Sequence, residues 1–380
     1  MRTPICEKLG IEFPIFAFSH CRDVVAAVSK AGGFGVLGAV AFTPEQLEME
    51  LNWIDANING KPYGVDIVIP AKYVGRQDGD IDKASLSDMI PEKHSEWIDE
   101  LLEKHNVPKL SKGTEENESL LGWSASGGRA AVEVAMRHPI RLIANALGPP
   151  PADIIEEAHE KDILVAALVG SVNHARKQKE AGVDIIVASG YEAGGHTGEI
   201  TSMLLWPQVV DAVGPDTPVL AAGGIGSGRH IAAGLSLGCQ GVWTGSIWLT
   251  AAESDYQPAL VDKLLDADSS QTVRSRCISG KPARMLVTPY TEAWDGKDSP
   301  GTLPMPLQYM ATAEATQRIY KHAESGGADA ATLLGTPVGQ VVGMMNARRP
   351  AKNIVADWVN EYVETVSGLA HQLEEAASED

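Results

Sequence analysis

Two histidines stand directly after apolar segments, where a folded chain would present them at the end of a strand. His196 follows the apolar segment 183–189 within a glycine-rich stretch, and His20 follows the apolar segment 14–18. A neutral imidazole titrates near pH 6.5, and a well-placed proton donor or acceptor contributes roughly 10² to 10⁴ in rate. Both histidines are therefore candidate catalytic residues. The residues alone also allow His196 only to orient a loop or a ligand, and His20 only to wedge against one.

Two glycine-containing turns have the composition of a phosphate-binding site. Gly223 and Gly224 follow the apolar segment 218–222, and Gly245 and Ser246 close the segment 241–245. Glycine lets backbone N–H groups approach an anion, and the helix expected after the first turn adds the positive end of its dipole. Either turn alone is explained as a tight turn. Together, at the ends of neighbouring strands, they predict one phosphate site.

The composition argues against several classes of function. The 50 acidic residues against 31 basic ones give a net charge of -19, which repels nucleic acids and anionic membrane surfaces. The chain has no apolar run near the roughly 20 residues that cross a bilayer and no signal peptide at its start. We therefore expect a cytoplasmic protein without nucleic-acid or membrane partners. The four cysteines do not have the spacing of a metal-binding motif, so no metal site is expected. The sequence has no nucleophile elbow after a predicted strand, which argues against a serine-nucleophile hydrolase.

The elements that must position these residues alternate between strand and helix. Apolar runs without in/out alternation, typical of parallel strands buried on both faces, occur eight times, at 14–18, 34–38, 64–69, 140–145, 163–169, 183–189, 218–222 and 241–245. Helical patterns lie between them, at 23–31, 44–57, 128–137, 152–161, 172–181, 206–213 and 227–237.

Eight such units in a row favour an α/β fold, a (β/α)8 TIM barrel, over a doubly wound open sheet. We place this barrel in residues 1–255, with a polar insertion at 71–123 after strand three that carries one helix at 92–105. A C-terminal extension, 256–380, would pack on the barrel and end in a helix at 351–375. Asn145 would then stand at the end of strand four, where its amide could bond the edge of a heterocycle.

Several of these segments resemble the nitronate monooxygenase family, formerly called 2-nitropropane dioxygenases. The resemblance rests on Glu-Ala-Gly-Gly-His at 192–196, Ala-Gly-Gly-Ile at 222–225 and Gly-Val-Trp-Thr-Gly-Ser at 241–246, and it covers most of residues 1–290. It implies a TIM barrel that binds FMN non-covalently, and in the related FMN-type reductases the histidine corresponding to His196 is associated with catalysis. His20 is a catalytic candidate by its position alone, since relatives usually have a Met-Ala or Met-Gly step at the end of strand one. The FMN-binding residues that the resemblance implies, together with the strand ends above, are Ser19, Asn145, Ser189, Gly194, Gly195, Gly223, Gly224, Gly245 and Ser246.

The resemblance leaves the reaction open between two chemistries. Relatives that oxidise nitronates carry a catalytic histidine on strand four, whereas this chain has Asn145 and Ala146 there. Oxidation of alkyl nitronates with O2 is the leading expectation. The alternative is an NAD(P)H-dependent reductase of an enone, enoyl thioester or quinone, similar to the FMN type of enoyl-acyl-carrier-protein reductase. A non-catalytic flavin-binding scaffold is a third hypothesis, and a homodimer would be compatible with all of them.

Overall fold

The computed structural model describes residues 1–69, 83–110 and 125–378. Its strands are β1 Ile15–Ser19, β2 Phe34–Gly38, β3 Tyr63–Ile67, β4 Leu142–Asn145, β5 Leu164–Val169, β6 Ile185–Ser189, β7 Gly195–His196, β8 Val219–Ala222, β9 Gly241–Thr244, β10 Thr272–Ser275 and β11 Ala283–Leu286. Its helices are α1 Pro4–Leu9, α2 Arg22–Lys30, α3 Pro44–Asn57, α4 Lys83–Asp88, α5 Glu92–Lys104, α6 Ala125–Ala135, α7 Ala152–Glu160, α8 Val172–Glu180, α9 Ser202–Val213, α10 Gly228–Ser236, α11 Pro258–Asp266, α12 Pro289–Asp295, α13 Leu307–Glu324, α14 Ala328–Leu333 and α15 Ala351–Ser378.

Eight parallel strands close into a barrel in the order β1-β2-β3-β4-β5-β6-β8-β9, and β9 pairs with β1. The predicted TIM barrel is confirmed, with all eight predicted strand segments in it. Side chains alternate between two clusters along each strand, because successive residues point to opposite faces. One cluster fills the barrel interior, where the rings of Phe16 and Phe34 lie 5.1 Å apart, and α1 adds Ile5 and Leu9 to it. The interior is therefore a packed core.

The helix after β6 begins earlier than its sequence predicts. Pro207 suggested a first-turn proline and a start at Trp206, but α9 begins at Ser202 and contains Pro207 in its interior. The reason is a cap supplied by the preceding loop. The Glu192 carboxylate accepts a hydrogen bond from the Ser202 backbone N–H at 2.9 Å and another from its hydroxyl at 3.0 Å. A carboxylate at this end also complements the helix dipole.

A second, three-stranded sheet was not predicted. It has the order β10-β11-β7, with both pairs antiparallel, and it joins the loop after β6 to the C-terminal extension. In its register Ala283 pairs with His196, and Arg284 pairs with Gly195. The extension is therefore bonded to the histidine-bearing loop by main-chain hydrogen bonds.

The insertion after β3 packs on the C-terminal extension where it is described. Residues 71–82 and 111–123 of the predicted insertion lie outside the described residues. In the described part, α5 packs against α13, and the rings of Trp97 and Trp294 meet edge to face at 4.7 Å. The Arg318 guanidinium, 2 % exposed, donates to the Asp99 carboxylate at 2.6 Å and to the backbone carbonyls of Val107 and Pro108. This arginine holds the end of α5 to α13.

The last helix lies along the outside of the barrel. Helix α15 packs on α10, and the Glu361 carboxylate accepts a hydrogen bond from the Gly228 backbone N–H at 2.7 Å. All four cysteines are buried and free. Among the described helices none combines the length and the apolar character that a bilayer span requires.

Arg318→Gln should lower the free energy of unfolding by about 2 kcal/mol, because it removes a buried guanidinium from a half-exposed Asp99 and leaves the carbonyls of Val107 and Pro108 without their donor. Thermal and urea unfolding measure the loss. Arg137→Gln is the matched control, since its ion pair with Glu48 is on the surface and should contribute less than about 1 kcal/mol. Equal losses in the two variants would contradict this role for Arg318.

Candidate active site

One cavity of about 310 Å³ opens at the carboxyl ends of the barrel strands, at the lower end of the range of small-molecule sites. Ten of the eleven predicted site residues line it, namely Ser19, His20, Ser189, Gly194, Gly195, His196, Gly223, Gly224, Gly245 and Ser246. The strand ends bring these residues together from distant parts of the sequence. The C-terminal extension completes the wall with Tyr256, Ile278, Ala283, Thr336, Pro337, Gly339 and Val341.

Asn145 is the predicted site residue that does not line this cavity. Its side chain is completely buried, its Oδ1 accepts from the Ile69 backbone N–H at 2.9 Å, and its Nδ2 donates to the Gly148 carbonyl at 2.9 Å. The amide thereby ties the turn after β3 to the turn after β4. Its hydrogen-bonding groups are already occupied by backbone, so a direct contact with a ligand is not supported.

The two glycine turns are placed side by side, as the sequence predicts, because β8 and β9 are neighbours in the barrel. The N–H groups of Gly224 and Ile225 have no hydrogen-bond partner anywhere in the described part of the chain. A Cβ at Gly245 would meet only Phe18, at 3.7 Å. Unbonded N–H groups beside open space are suited to an anionic group such as a phosphate. The Ser246 hydroxyl accepts a hydrogen bond from the Gly339 backbone N–H at 2.9 Å, which leaves its own proton to donate.

His20 lines the cavity with one ring nitrogen bonded to backbone. Its Nδ1 lies 2.9 Å from the Gly38 carbonyl oxygen. A carbonyl can only accept, so Nδ1 carries the ring proton and Nε2 holds a lone pair. Burial lowers the pKa of His20, outweighing the Gly38 carbonyl and the charge of Asp255, which raise it. The neutral ring is therefore a proton acceptor.

A residue of the C-terminal extension, Ser279, holds the His196 ring by a hydrogen bond. The His196 Nε2 lies 2.7 Å from the hydroxyl of Ser279, which is fully buried. Burial and, to a smaller extent, the nearby charge of Lys281 together lower the pKa of His196 to about 4. His196 is consequently neutral at physiological pH.

Asp66 lies in the cavity but is not among the predicted site residues. It lies on β3, is 4 % exposed and lines the cavity. Its carboxyl group has no hydrogen-bond partner among the residues with described positions. Burial raises its pKa well above the ordinary value. The signal in the sequence is a carboxylate within the otherwise apolar run 64–69. Burying an unpaired acid costs free energy, so an acid at such a position indicates a functional residue.

The cavity carries no positive side chain. Among its lining residues, all of them within the described ranges, none is lysine or arginine, and its titratable groups include Asp66, His20 and His196. Each of these three is shifted towards its neutral form by burial. The site thus combines apolar walls with neutral hydrogen-bonding groups and unbonded backbone N–H groups.

Comparisons with known proteins converge on one family. The family model described as nitronate monooxygenase matches residues 2–361. A Mycobacterium tuberculosis protein named "Putative monooxygenase Rv1533" is 53 % identical over 370 residues, covering 97 % of this chain and 98 % of its own. A "Probable nitronate monooxygenase" of Staphylococcus haemolyticus is 29 % identical over 338 residues, covering 85 % and 87 %.

Solved structures share the fold over almost the whole chain. FabK from Thermotoga maritima aligns with a TM-score of 0.72 at 26 % identity, covering 98 % of this chain and 99 % of that one. A nitroalkane oxidase from Streptomyces ansochromogenes aligns with a TM-score of 0.77 at 24 % identity, covering 96 % and 99 %, which supports the fold alone.

Asp66→Asn should stabilise the protein increasingly as the pH rises. Because the raised pKa makes the folded state hold a proton that the unfolded state releases near pH 4, the native protein loses stability as the pH rises towards the folded-state pKa. The asparagine variant lacks this loss. Melting temperatures between pH 4 and 9 measure it, with the exposed Asp211→Asn as control. A difference from the native protein that does not grow with pH would refute the neutral carboxyl.

Proposed function

The chain belongs to the nitronate monooxygenase family, and we propose that it is an FMN-dependent oxidoreductase that oxidises small alkyl nitronates with O2. The observation that carries the proposal is the cavity itself. Unbonded N–H groups of the turn after β8 lie beside the open turn at Gly245, and two neutral imidazoles line the same space. Its small volume and apolar walls suit a short-chain substrate beside a cofactor.

The residues that line the cavity are suited to bind the phosphate of FMN. The Gly224 and Ile225 N–H groups, the Gly245 turn and the Ser246 hydroxyl would hold the phosphate, and the apolar walls would accept the ring system. Bound FMN would supply the redox chemistry by accepting electrons from the substrate. The side chains of the barrel end would then bind and orient the substrate, exclude water and move protons.

The two histidines would have different tasks. His20 has its Nε2 lone pair available to accept the C–H proton of a neutral nitroalkane, which yields the nitronate in the site, since its Nδ1–H is bonded to the Gly38 carbonyl. His196 is bonded through Nε2 to Ser279 and is held in place by β11, which suits a residue that orients a substrate by a hydrogen bond. We therefore assign proton transfer to His20 and substrate orientation to His196.

A second function is favoured by one observation, the absence of a cationic side chain from the described cavity lining. An anionic nitronate would depend on backbone and imidazole N–H groups alone, whereas a neutral enone or quinone needs no counter-charge. The histidine expected on β4 is also missing, since Asn145 is buried and its neighbours Ala146 and Leu147 line the cavity. The second candidate is therefore an NAD(P)H-dependent reductase using the same FMN site. In either case the chain would act on a small molecule, and a homodimer stays a prediction.

Gly245→Leu should fold normally and lose FMN, because its side chain would enter the open space that the phosphate needs. The flavin absorbance per protein and the melting temperature are measured on the same samples. Gly368→Leu, on an exposed turn of α15 with nothing within 4 Å, is the control and should retain FMN. Full FMN content in Gly245→Leu would place the phosphate elsewhere.

His20→Gln should lower kcat/KM for oxygen uptake with a neutral nitroalkane by about 10² to 10⁴, the usual contribution of an acid–base group, and should lower it much less with the preformed nitronate. His196→Gln should lower it by about 10 to 100, the value of one or two hydrogen bonds. Because protonated His20 cannot accept a proton, the native rate should fall only below pH 6.5, as His20 with its lowered pKa becomes protonated. His174→Gln, an exposed histidine of α8, is the control. The assignment fails if the native protein takes up no oxygen with nitronates.

Anaerobic titration distinguishes the two candidate functions. NADH or NADPH added without oxygen should leave the flavin absorbance near 450 nm unchanged if nitronates are the electron source, and should bleach it if the protein is a pyridine-nucleotide-dependent reductase. Bleaching by the nucleotide together with no nitronate turnover would replace the first function with the second.

A further inference from the structure

Ser279 comes from the C-terminal extension and reaches a ring of the candidate active site. It lies in the loop between β10 and β11, and its hydroxyl is 2.7 Å from His196 Nε2. Its side chain is fully buried, although it does not line the cavity. Nothing in the barrel strands supplies this contact, so the extension alone determines it.

The loop that carries Ser279 is fixed by a buried amide. Gln308 of α13 is completely buried, donates to the Cys277 carbonyl at 2.8 Å and accepts from the Leu303 backbone N–H at 2.8 Å. On the other side, Ala283 pairs with His196 in the small sheet. The serine and the histidine are therefore held on the same rigid frame rather than meeting through two mobile side chains.

The direction of the hydrogen bond follows from the hydroxyl's other neighbours. The Ser279 hydroxyl has one proton to give. Two acceptors compete for it, His196 Nε2 at 2.7 Å and the Lys281 carbonyl at 3.4 Å, while the Lys281 backbone N–H, also at 3.4 Å, can only donate to the serine oxygen. If Nε2 carried the proton, the buried hydroxyl could donate only to the Lys281 carbonyl, which at 3.4 Å lies beyond the usual O–H···O distance, so we assign the hydroxyl proton to the bond with Nε2.

We propose that Ser279 is a positioning residue that donates to His196 Nε2 and so keeps the ring neutral with its proton on Nδ1. The imidazole then acts as a hydrogen-bond donor through Nδ1–H, and its second nitrogen is prevented from taking a proton from a substrate. The catalytic consequence rests on the proposed function, whereas the protonation of the ring does not. Lys281 and the surrounding apolar groups act in the same direction, since both disfavour an imidazolium.

The test is nuclear magnetic resonance of the full chain, with its bound cofactor, labelled with ¹⁵N-histidine. The His196 signals are identified by their loss in His196→Gln. In the native protein we expect the proton on Nδ1 and no titration above pH 5. In Ser279→Ala we expect a mixture of the two tautomers and a pKa raised by about one unit, since a hydrogen bond that favours the neutral ring is lost. Nitronate kcat/KM should fall about tenfold in the same variant.

Two further variants separate positioning from general packing. Ser279→Thr keeps the hydroxyl and should restore the native signals. Ser275→Ala removes another buried hydroxyl of the extension, one bonded to the Asp295 carboxylate at 2.9 Å, and should leave the His196 signals unchanged.

The outcome that overturns the proposal is a native His196 with its proton on Nε2, or a Ser279→Ala spectrum identical to the native one. The native spectrum decides alone if Ser279→Ala does not fold. A protein with the Nδ1 proton but without nitronate oxidation would refute the proposed function and leave the role of Ser279 standing.

Discussion

The whole site depends on a close approach of two stretches of backbone, one after β6 and one near the end of the chain. A Cβ at Gly194 would lie 2.7 Å from the Gly339 nitrogen, and one at Gly339 would lie 2.9 Å from the Gly194 nitrogen, so neither position accepts a side chain without displacement. The Gln340 backbone N–H donates to the Glu192 carbonyl at 2.9 Å and secures the contact. Glu192 in turn caps α9. The same few residues thus begin a helix, close the cavity and position His196.

The electrostatics of the cavity follow from the same enclosure. With water removed, Asp66 holds its proton and both imidazoles remain neutral, because burial disfavours every charged form. The protein as a whole carries a net charge of -19, yet the cavity lining presents uncharged donors and acceptors. Such an environment strengthens each hydrogen bond to a bound ligand, and it discriminates between ligands by geometry more than by charge.

Much of the fold could be predicted from sequence because parallel strands that are buried on both faces have continuous apolar sequences. The eight barrel strands and the convergence of ten predicted site residues on one cavity follow from that pattern. The predicted start of α9 was wrong because Glu192, which caps the helix, lies ten residues before it, and because Pro207 has the spacing expected of a first-turn proline. The small sheet was missed because β7 has only two residues and pairs with a strand almost ninety residues later. Asn145 was placed at the right strand end, but its burial depends on turns that no local pattern shows.

The final wall of the cavity comes from residues 336–341, long after the last barrel strand in the order of synthesis. A ribosome releases the eight strands first, so a nascent chain can assemble the barrel while its catalytic end is still open to solvent. Ser279, β11 and the turn at Gly339 all follow the eight barrel strands in the chain. Enclosure of a ligand in the complete pocket therefore requires residues that are synthesised after the whole barrel.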